Sequence, residues 1–259
     1  MKEFALTIMI LFCSVLNGIT SIKKEIVEYK HGETLLKGYL IYDSLLKAKR
    51  PGIVLIHDNM GINDFIQQRA ENLAQDGYII FALDMFGKEY KPQDRKEAKK
   101  KANEFYQDRI KMRERAYEGY LVLREQKNVN PDKIGAIGFS FGGTVALELV
   151  RNGAEIKCTI CFHSNLDTPE KDKDNNIMGS ILILLGADDP FISPEEIKLF
   201  QEEMHKKNVD WQMNIYGNAV RGFTNPDFGF DKSDGTAYHY YSDKRAWEAL
   251  KMFLREHLR

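Results

Sequence analysis

A mostly parallel α/β sheet with helices on both faces is the fold class this sequence predicts, and two observations predict it. Short apolar runs of strand type, at 53–56, 78–83, 134–139, 158–162 and 181–185, and a further strand pattern at 211–216, alternate along the chain with helical patterns. Runs without polar alternation are what strands buried on both faces require, and strand–helix alternation is how parallel strands are connected. The 259 residues, 43% hydrophobic with no internal repeat, suffice for one large core. A single domain over 22–259 is expected.

Taken in order, residues 25–29 and 35–42 read as two strands joined through His31-Gly32-Glu33 as a hairpin. Pro51-Gly52 introduces the first buried strand. The loop His57-Asp58-Asn59-Met60-Gly61-Ile62 leads to a helix capped by Asn63 or Asp64, with Ile66, Ala70, Leu73 and Ala74 near helical period and Gly77 at its end. Helices are expected over 95–107 and 108–126, then a turn at Asn130-Pro131-Asp132 before the strand 134–139. A helix starting at Thr144, a polar loop to Asn176, a helix over 194–206 with proline in its first turn, and a long loop over 217–241 follow. The last helix is expected over 243–255.

Charge excludes one broad class. The formal net charge of −1 argues against nucleic-acid binding by phosphate neutralisation. The dense charged region over 88–115 carries both signs and reads as solvated helix faces. Residues 4–16 form an apolar run too short to span a bilayer, followed by small or polar residues, which is the pattern of a secretory signal. A cleaved signal over 1–21, a periplasmic or secreted location and no membrane association afterwards are the expectations. Cys158 and Cys161 lie three apart on one strand, so they point to opposite faces and read as core residues, neither a redox pair nor a shared metal site.

Chemistry concentrates at the carboxyl ends of the strands, where open α/β sheets place ligands. Gly138-Phe139-Ser140-Phe141-Gly142-Gly143 ends a strand and opens a helix, and its Gly-x-Ser-x-Gly spacing is that of a nucleophile elbow, a turn so sharp that side chains two positions either side clash. Taken alone it also fits a serine in a glycine-rich loop. Downstream come Gly186-Ala187-Asp188-Asp189-Pro190-Phe191 after one strand and Gly217-Asn218-Ala219-Val220-Arg221-Gly222-Phe223-Thr224-Asn225-Pro226 after the last. Nucleophile, acid, then a final-loop residue is the chain order of α/β-hydrolases. His57 and His163 read as structural.

With these segments, and with Ile56-His57-Asp58-x-x-Gly61-Ile62-Asn63-Asp64, Ala82-Leu83-Asp84-Met85-Phe86-Gly87 and Arg245-Ala246-Trp247-Glu248-Ala249, the sequence resembles the dienelactone hydrolase family of α/β-hydrolases from about residue 25 to the C-terminus. The resemblance implies the three-layer α/β-hydrolase fold, no cofactor, no metal, a small-molecule ester or lactone substrate, and a monomer. It places the nucleophile at Ser140, the acid at Asp189, the oxyanion hole at the backbone N–H groups of Phe141 and Asn59, and at Asp58 a carboxylate beside the nucleophile. Lys88 stands where one of the family's substrate-binding arginines aligns, and the other position, near Asn225, carries no positive charge.

One departure matters. The family's general base, a His, falls at Arg221. A serine hydroxyl is a poor nucleophile without a neighbour to take its proton, and a guanidinium has donors only. Arg221 is expected to pair with Asp189 instead. Three accounts fit the sequence: a silent relative, a variant of an active enzyme, or an enzyme whose base comes from elsewhere, with His239 as the candidate.

Overall fold

The computed structural model describes residues 22–169 and 177–259. The signal segment expected over 1–21 and part of the polar loop before Asn176 lie outside the described residues.

An eight-stranded sheet forms the centre. In chain order its strands are β1 (Ile22–His31), β2 (Thr34–Asp43), β3 (Arg50–Ile56), β4 (Ile79–Leu83), β5 (Val129–Phe139), β6 (Cys158–Phe162), β7 (Ser180–Gly186) and β8 (Trp211–Tyr216). Their spatial order is β1-β2-β4-β3-β5-β6-β7-β8. β1 and β2 form the expected antiparallel hairpin at one edge, and β3 to β8 run parallel.

The helices are α1 (Asp64–Gln75), α2 (Arg95–Gln107), α3 (Arg109–Arg124), α4 (Phe141–Arg151), α5 (Pro194–Lys206) and α6 (Tyr240–Leu258). Period-two alternation sorts the sheet's side chains into two cores. Val54, Ile56 and Ala136 pack with Met112, Tyr120, Val145 and Phe200 beneath α2 to α5, whereas Ile53, Leu55 and Phe139 pack with Ile66, Leu73, Leu250 and Leu254 beneath α1 and α6. Cys158 and Cys161 fall into different cores, on opposite faces as the spacing required. Burial raises both thiols, Cys158 to about 12, so neither supplies a thiolate. No helix among the described residues is long and apolar enough to cross a membrane.

Three expectations are corrected. Residues 130–132 lie inside β5, not in a turn before it: the pairing with β3 jumps from Pro51–Asn130 to Gly52–Ile134, so the proline sits in a bulge where no ladder donor is needed. α6 begins at Tyr240, three residues earlier than expected, because His239 caps it. The charged region over 88–115 is solvated only in part. Arg109, Arg113 and Arg115 on α3 are buried. Arg115 donates to the carbonyl of Met85 and to Thr34, and Arg109 and Arg113 pair with the fully buried Glu148 of α4. Arg151 reaches the Glu148 oxygen that also faces Arg109, at 3.1 Å, and holds Glu203 at 2.6 Å. Periodicity cannot show this arrangement, because the acid that draws the arginines inward lies on another helix.

Candidate active site

β5 and α4 meet at Ser140 with no intervening loop. Its backbone has φ 52° and ψ −115°, a left-handed-side conformation rarely adopted by a residue with a Cβ. The glycines either side are steric necessities. A Cβ on Gly138 would collide with the backbone of Gly142, and one on Gly142 with the carbonyls of Ile56, the last residue of β3, and His57 just after it. The elbow is therefore wedged against the neighbouring strand end. Ser140 N–H donates to the carbonyl of Phe162 on β6 (2.9 Å), and the N–H groups of Gly143 and Thr144 turn back onto the Ser140 carbonyl.

The loop after β3 supplies the opposite wall. His57 is buried between hydrogen bonds. Its Nε2 accepts from Met85 N–H at 3.1 Å, which leaves the proton on Nδ1 facing the Asp58 carbonyl at 2.6 Å. Burial, the largest cause, lowers its pKa and keeps it neutral. His57 is structural, as expected. Met60 N–H donates to Asp58 Oδ1 and Gly61 N–H to the Asp58 carbonyl, so the turn leaves Asn59 N–H outside its own bonds. At the elbow the same holds for Phe141 N–H. Two donors beside Ser140 that have no backbone acceptor among the described residues have the disposition an oxyanion hole requires. The Phe141 ring packs away from this site against Phe86, Phe105 and Tyr106, so only its backbone serves.

Ser140, Asp58, Asn59 and Arg221 all line one cavity of ≈ 560 Å³. Burial pushes the Asp58 carboxyl up to about 6, against the opposing bond from Met60 N–H. A carboxyl whose folded pKa lies above its ordinary 3.8 binds more protons folded than unfolded, so its stability penalty develops as pH rises from about 4 to about 6. Asp58→Asn keeps the acceptor for Met60 and is expected to stabilise the protein by about 3 kcal/mol at pH 7, fading to nothing below pH ~4. Urea unfolding of both proteins across that range checks it, and a difference independent of pH contradicts it.

Asp189 stands at the end of β7, buried. Its Oδ1 accepts from Phe191 N–H at 2.9 Å, and its Oδ2 accepts from Arg221 Nε at 2.9 Å. Arg221 Nη1 donates to Asn165 Oδ1 at 2.8 Å, the Phe191 ring lies 5.3 Å from the guanidinium carbon, and Nη2 is enclosed without a partner. The backbone of Arg221 is held independently: its N–H donates to Gly235 and its carbonyl accepts from Ala237. Asp188 is exposed, and its N–H donates to the Ala219 carbonyl.

Other sequence candidates go elsewhere. Lys88 pairs with Glu28 at 2.7 Å and does not line the cavity. Asn225 caps a short turn at Pro226–Phe228 by accepting from Asp227 N–H. His239 is also not a lining residue. Its Nδ1 contacts Ser242 Oγ at 2.7 Å and its carbonyl accepts from Asp243 N–H, so it serves as the cap of α6. His163 is buried beside the site with Nε2 at 2.9 Å from Thr224 Oγ1, and burial, then the positive charge of Arg221, lowers it to about 3. Among the described residues no cluster of three or more His, Cys, Asp or Glu is placed to hold a metal.

Two kinds of site residue escaped sequence reading. Asn165 enters only because the chain after β6 folds back toward Arg221. The inner face of α2 contributes Ala98, Lys99, Ala102, Asn103 and Tyr106, whose i, i+4, i+8 spacing is visible in sequence but equally describes an ordinary amphipathic helix.

Comparison with known proteins agrees with this fold. The solved protein m3DLH is 34% identical, with a TM-score of 0.88 over 92% of this chain and 99% of its own. A dienelactone hydrolase-like promiscuous phosphotriesterase from metagenomic libraries is also 34% identical, with a TM-score of 0.87 over the same shares. Protein usf of Aquifex pyrophilus is 23% identical over 241 residues, 90% of this chain and 99% of its own. The model of the dienelactone hydrolase family matches residues 36–258, a span that takes in the elbow, the acid loop and the final loop alike. With fold, elbow and chain-long match in agreement, the chain belongs to the dienelactone hydrolase family.

Proposed function

We propose that this protein is a carboxylic ester or lactone hydrolase of dienelactone hydrolase type, with Ser140 as nucleophile, Asp189 as the acid and Arg221 in the place of the base. Its turnover is slow, or absent. The observation that carries this reading is the Arg221 Nε to Asp189 Oδ2 ion pair at 2.9 Å. The carboxylate that would orient an imidazole is occupied by a group that cannot accept a proton from Ser140. The elbow, the two free N–H donors and the cavity remain, and these alone retain roughly 10³–10⁴-fold rate over water in enzymes stripped of a triad member. With Lys88 engaged by Glu28, a small or neutral ester is favoured over a dienelactone. The export expected from residues 4–16, and a monomeric state, belong to the same proposal.

A fluorophosphonate probe tests it. Slow covalent labelling of the native protein, abolished in Ser140→Ala, is the expected result. Vigorous hydrolysis of p-nitrophenyl acetate that survives Ser140→Ala overturns the reading. A second reading, a non-catalytic binding protein on the same scaffold, draws on the same ion pair. Complete resistance of Ser140 to the probe selects it.

A further inference from the structure

At the opposite end of the sheet from Ser140, basic side chains converge on a second concave site. β3 begins at Arg50 and ends at Ile56 beside the elbow, so its seven residues put the two sites about 20 Å apart. Lys49, Arg50, Lys133 and Arg259 line a cleft of ≈ 530 Å³ there, together with Asp76. Arg50 and Lys133 are only partly exposed, whereas Lys49 stands in solvent. The bulge in β5 sets the place of Lys133. Pairing with β3 jumps from Asn130 to Ile134, so residues 131–133 leave the ladder, and a bulge re-aims the side chains it carries.

One of the four cations is committed. Arg259 donates to the Asp76 carbonyl at 3.1 Å, and its guanidinium carbon lies 5.8 Å from the centre of the Tyr78 ring. Among the described residues, the side chains of Lys49, Arg50 and Lys133 have no ion pair and no hydrogen bond, and Arg50 Nε is enclosed without an acceptor. An enclosed donor on a charged group is costly to leave unpaired and calls for an acceptor. The neighbouring acceptors do not supply it. Asp76 is the one carboxylate side chain lining the cleft, and it is exposed with no cation paired to it. Asp43, which shares an adjoining hollow with Arg50, accepts from Leu45 N–H. Asn130 Oδ1 accepts from Asp132 N–H, which leaves its amide N–H groups as further donors. Even with the backbone carboxylate of Arg259 counted beside Asp76, positive charge stays in excess, concentrated in a concavity of ligand size.

We propose that this cleft is a binding site for the phosphate group of a small soluble compound, held by Arg50 and Lys133 with Lys49 at the rim. A phosphate presents several charged acceptor oxygens at once, which matches a planar guanidinium fork beside a point-charge ammonium. A concave cleft suits a small ligand, where a membrane surface would need a flat or convex basic face. The site shares no residue with the cavity of Ser140 and Arg221 and does not depend on the hydrolase proposal.

Calorimetric titration of the full chain with sodium pyrophosphate at pH 7.5 tests the proposal. Saturable binding is expected, weakened about tenfold or more in Lys133→Gln and in Arg50→Gln, since each substitution removes a charge-assisted bond. Lys133→Arg, which keeps the charge, is expected to weaken it less, and the two Lys133 variants decide the matter if the Arg50 variant unfolds. Two controls locate the ligand. Lys127→Gln removes an exposed charge just before β5 that does not line the cleft, and Arg221→Gln removes one from the other cavity. Both are expected to leave binding unchanged. Sedimentation with phosphatidylcholine vesicles, with and without phosphatidylglycerol, separates a free phosphate compound from a lipid headgroup, and no retention that depends on Lys133 is expected. The proposal is overturned by no saturable binding at millimolar pyrophosphate, or by equal losses in Lys127→Gln and Lys133→Gln. Sensitivity to Arg221→Gln in place of Lys133→Gln, or retention on phosphatidylglycerol vesicles that is lost in Lys133→Gln, overturns it as well. Labelling of Ser140 reads the hydrolase proposal separately, so either can fail alone.

Discussion

Arg221→His is expected to raise hydrolysis of an activated ester such as p-nitrophenyl acetate by about 10²–10⁴-fold, the usual contribution of a positioned general base. The substitution exchanges a group with donors only for one that donates to Asp189 through one ring nitrogen and accepts from Ser140 through the other. The frame that receives the imidazole survives the exchange. The backbone of residue 221 is tied to Gly235 and Ala237 by main-chain bonds that do not involve the guanidinium. Asp189 keeps its second anchor, the N–H of Phe191. The gained activity is expected to rise with pH as the imidazole loses its proton, and to vanish in Arg221→His combined with Ser140→Ala. A folded Arg221→His protein with no gain contradicts the triad argument for this chain.

Glu148→Ala is expected to destabilise the protein by about 3–5 kcal/mol, the range for breaking a buried ion pair by removing one partner. The side chain is fully buried on α4, where Arg113 reaches it at 2.7 Å, Arg151 at 3.1 Å and Arg109 at 3.8 Å. Its loss leaves Arg113 with a weaker set of partners, and obliges Arg151 and Arg109 to rely on Glu203 and Asp167. For a domain of this size the expected fall in melting temperature is roughly 6–20 °C. Arg124→Ala, which breaks the exposed pair with Glu155, is the comparison, because exposed pairs contribute about 0–1 kcal/mol. Equal melting temperatures for the Glu148 variant and wild type contradict the network's role. α4 follows directly on the elbow, so labelling of Ser140 in the Glu148 variant reports whether that turn loosens with the helix.

The parts of the fold legible in the sequence are those set by local rules. A strand buried on both faces reads as a nearly continuous apolar run, which is why Cys158–Phe162 was bounded correctly, and the edge strand Trp211–Tyr216 was bounded correctly although Gln212 and Asn214 interrupt its apolar residues. The same holds for the helix Pro194–Lys206, where Ser193 accepts from Glu196 N–H and proline follows at the first position. The start of the last helix was missed because a histidine cap is not one of the residues that mark a helix start. The bulge in β5 was missed because Asn-Pro-Asp signals a turn, and only pairing with β3 absorbs it into a strand.

The site divides in the same way. The sequence by itself determined the elbow spacing and the incompatibility of arginine with proton abstraction, which follow from residue chemistry, while Asp189 and Arg221 came forward as acid and base positions through the family resemblance. Only the tertiary structure decided that Arg221 bonds Asp189 and Asn165 with one nitrogen left over, that His239 is spent on capping α6, and that Glu148 gathers three arginines in the core. The Arg221 contacts and the Arg109 and Arg113 contacts to Glu148 depend on side chains that meet across tens of residues, and a linear pattern carries no information about which partner a long polar side chain finds once it is buried, whereas the His239 cap is local and was hidden only by the choice of residue.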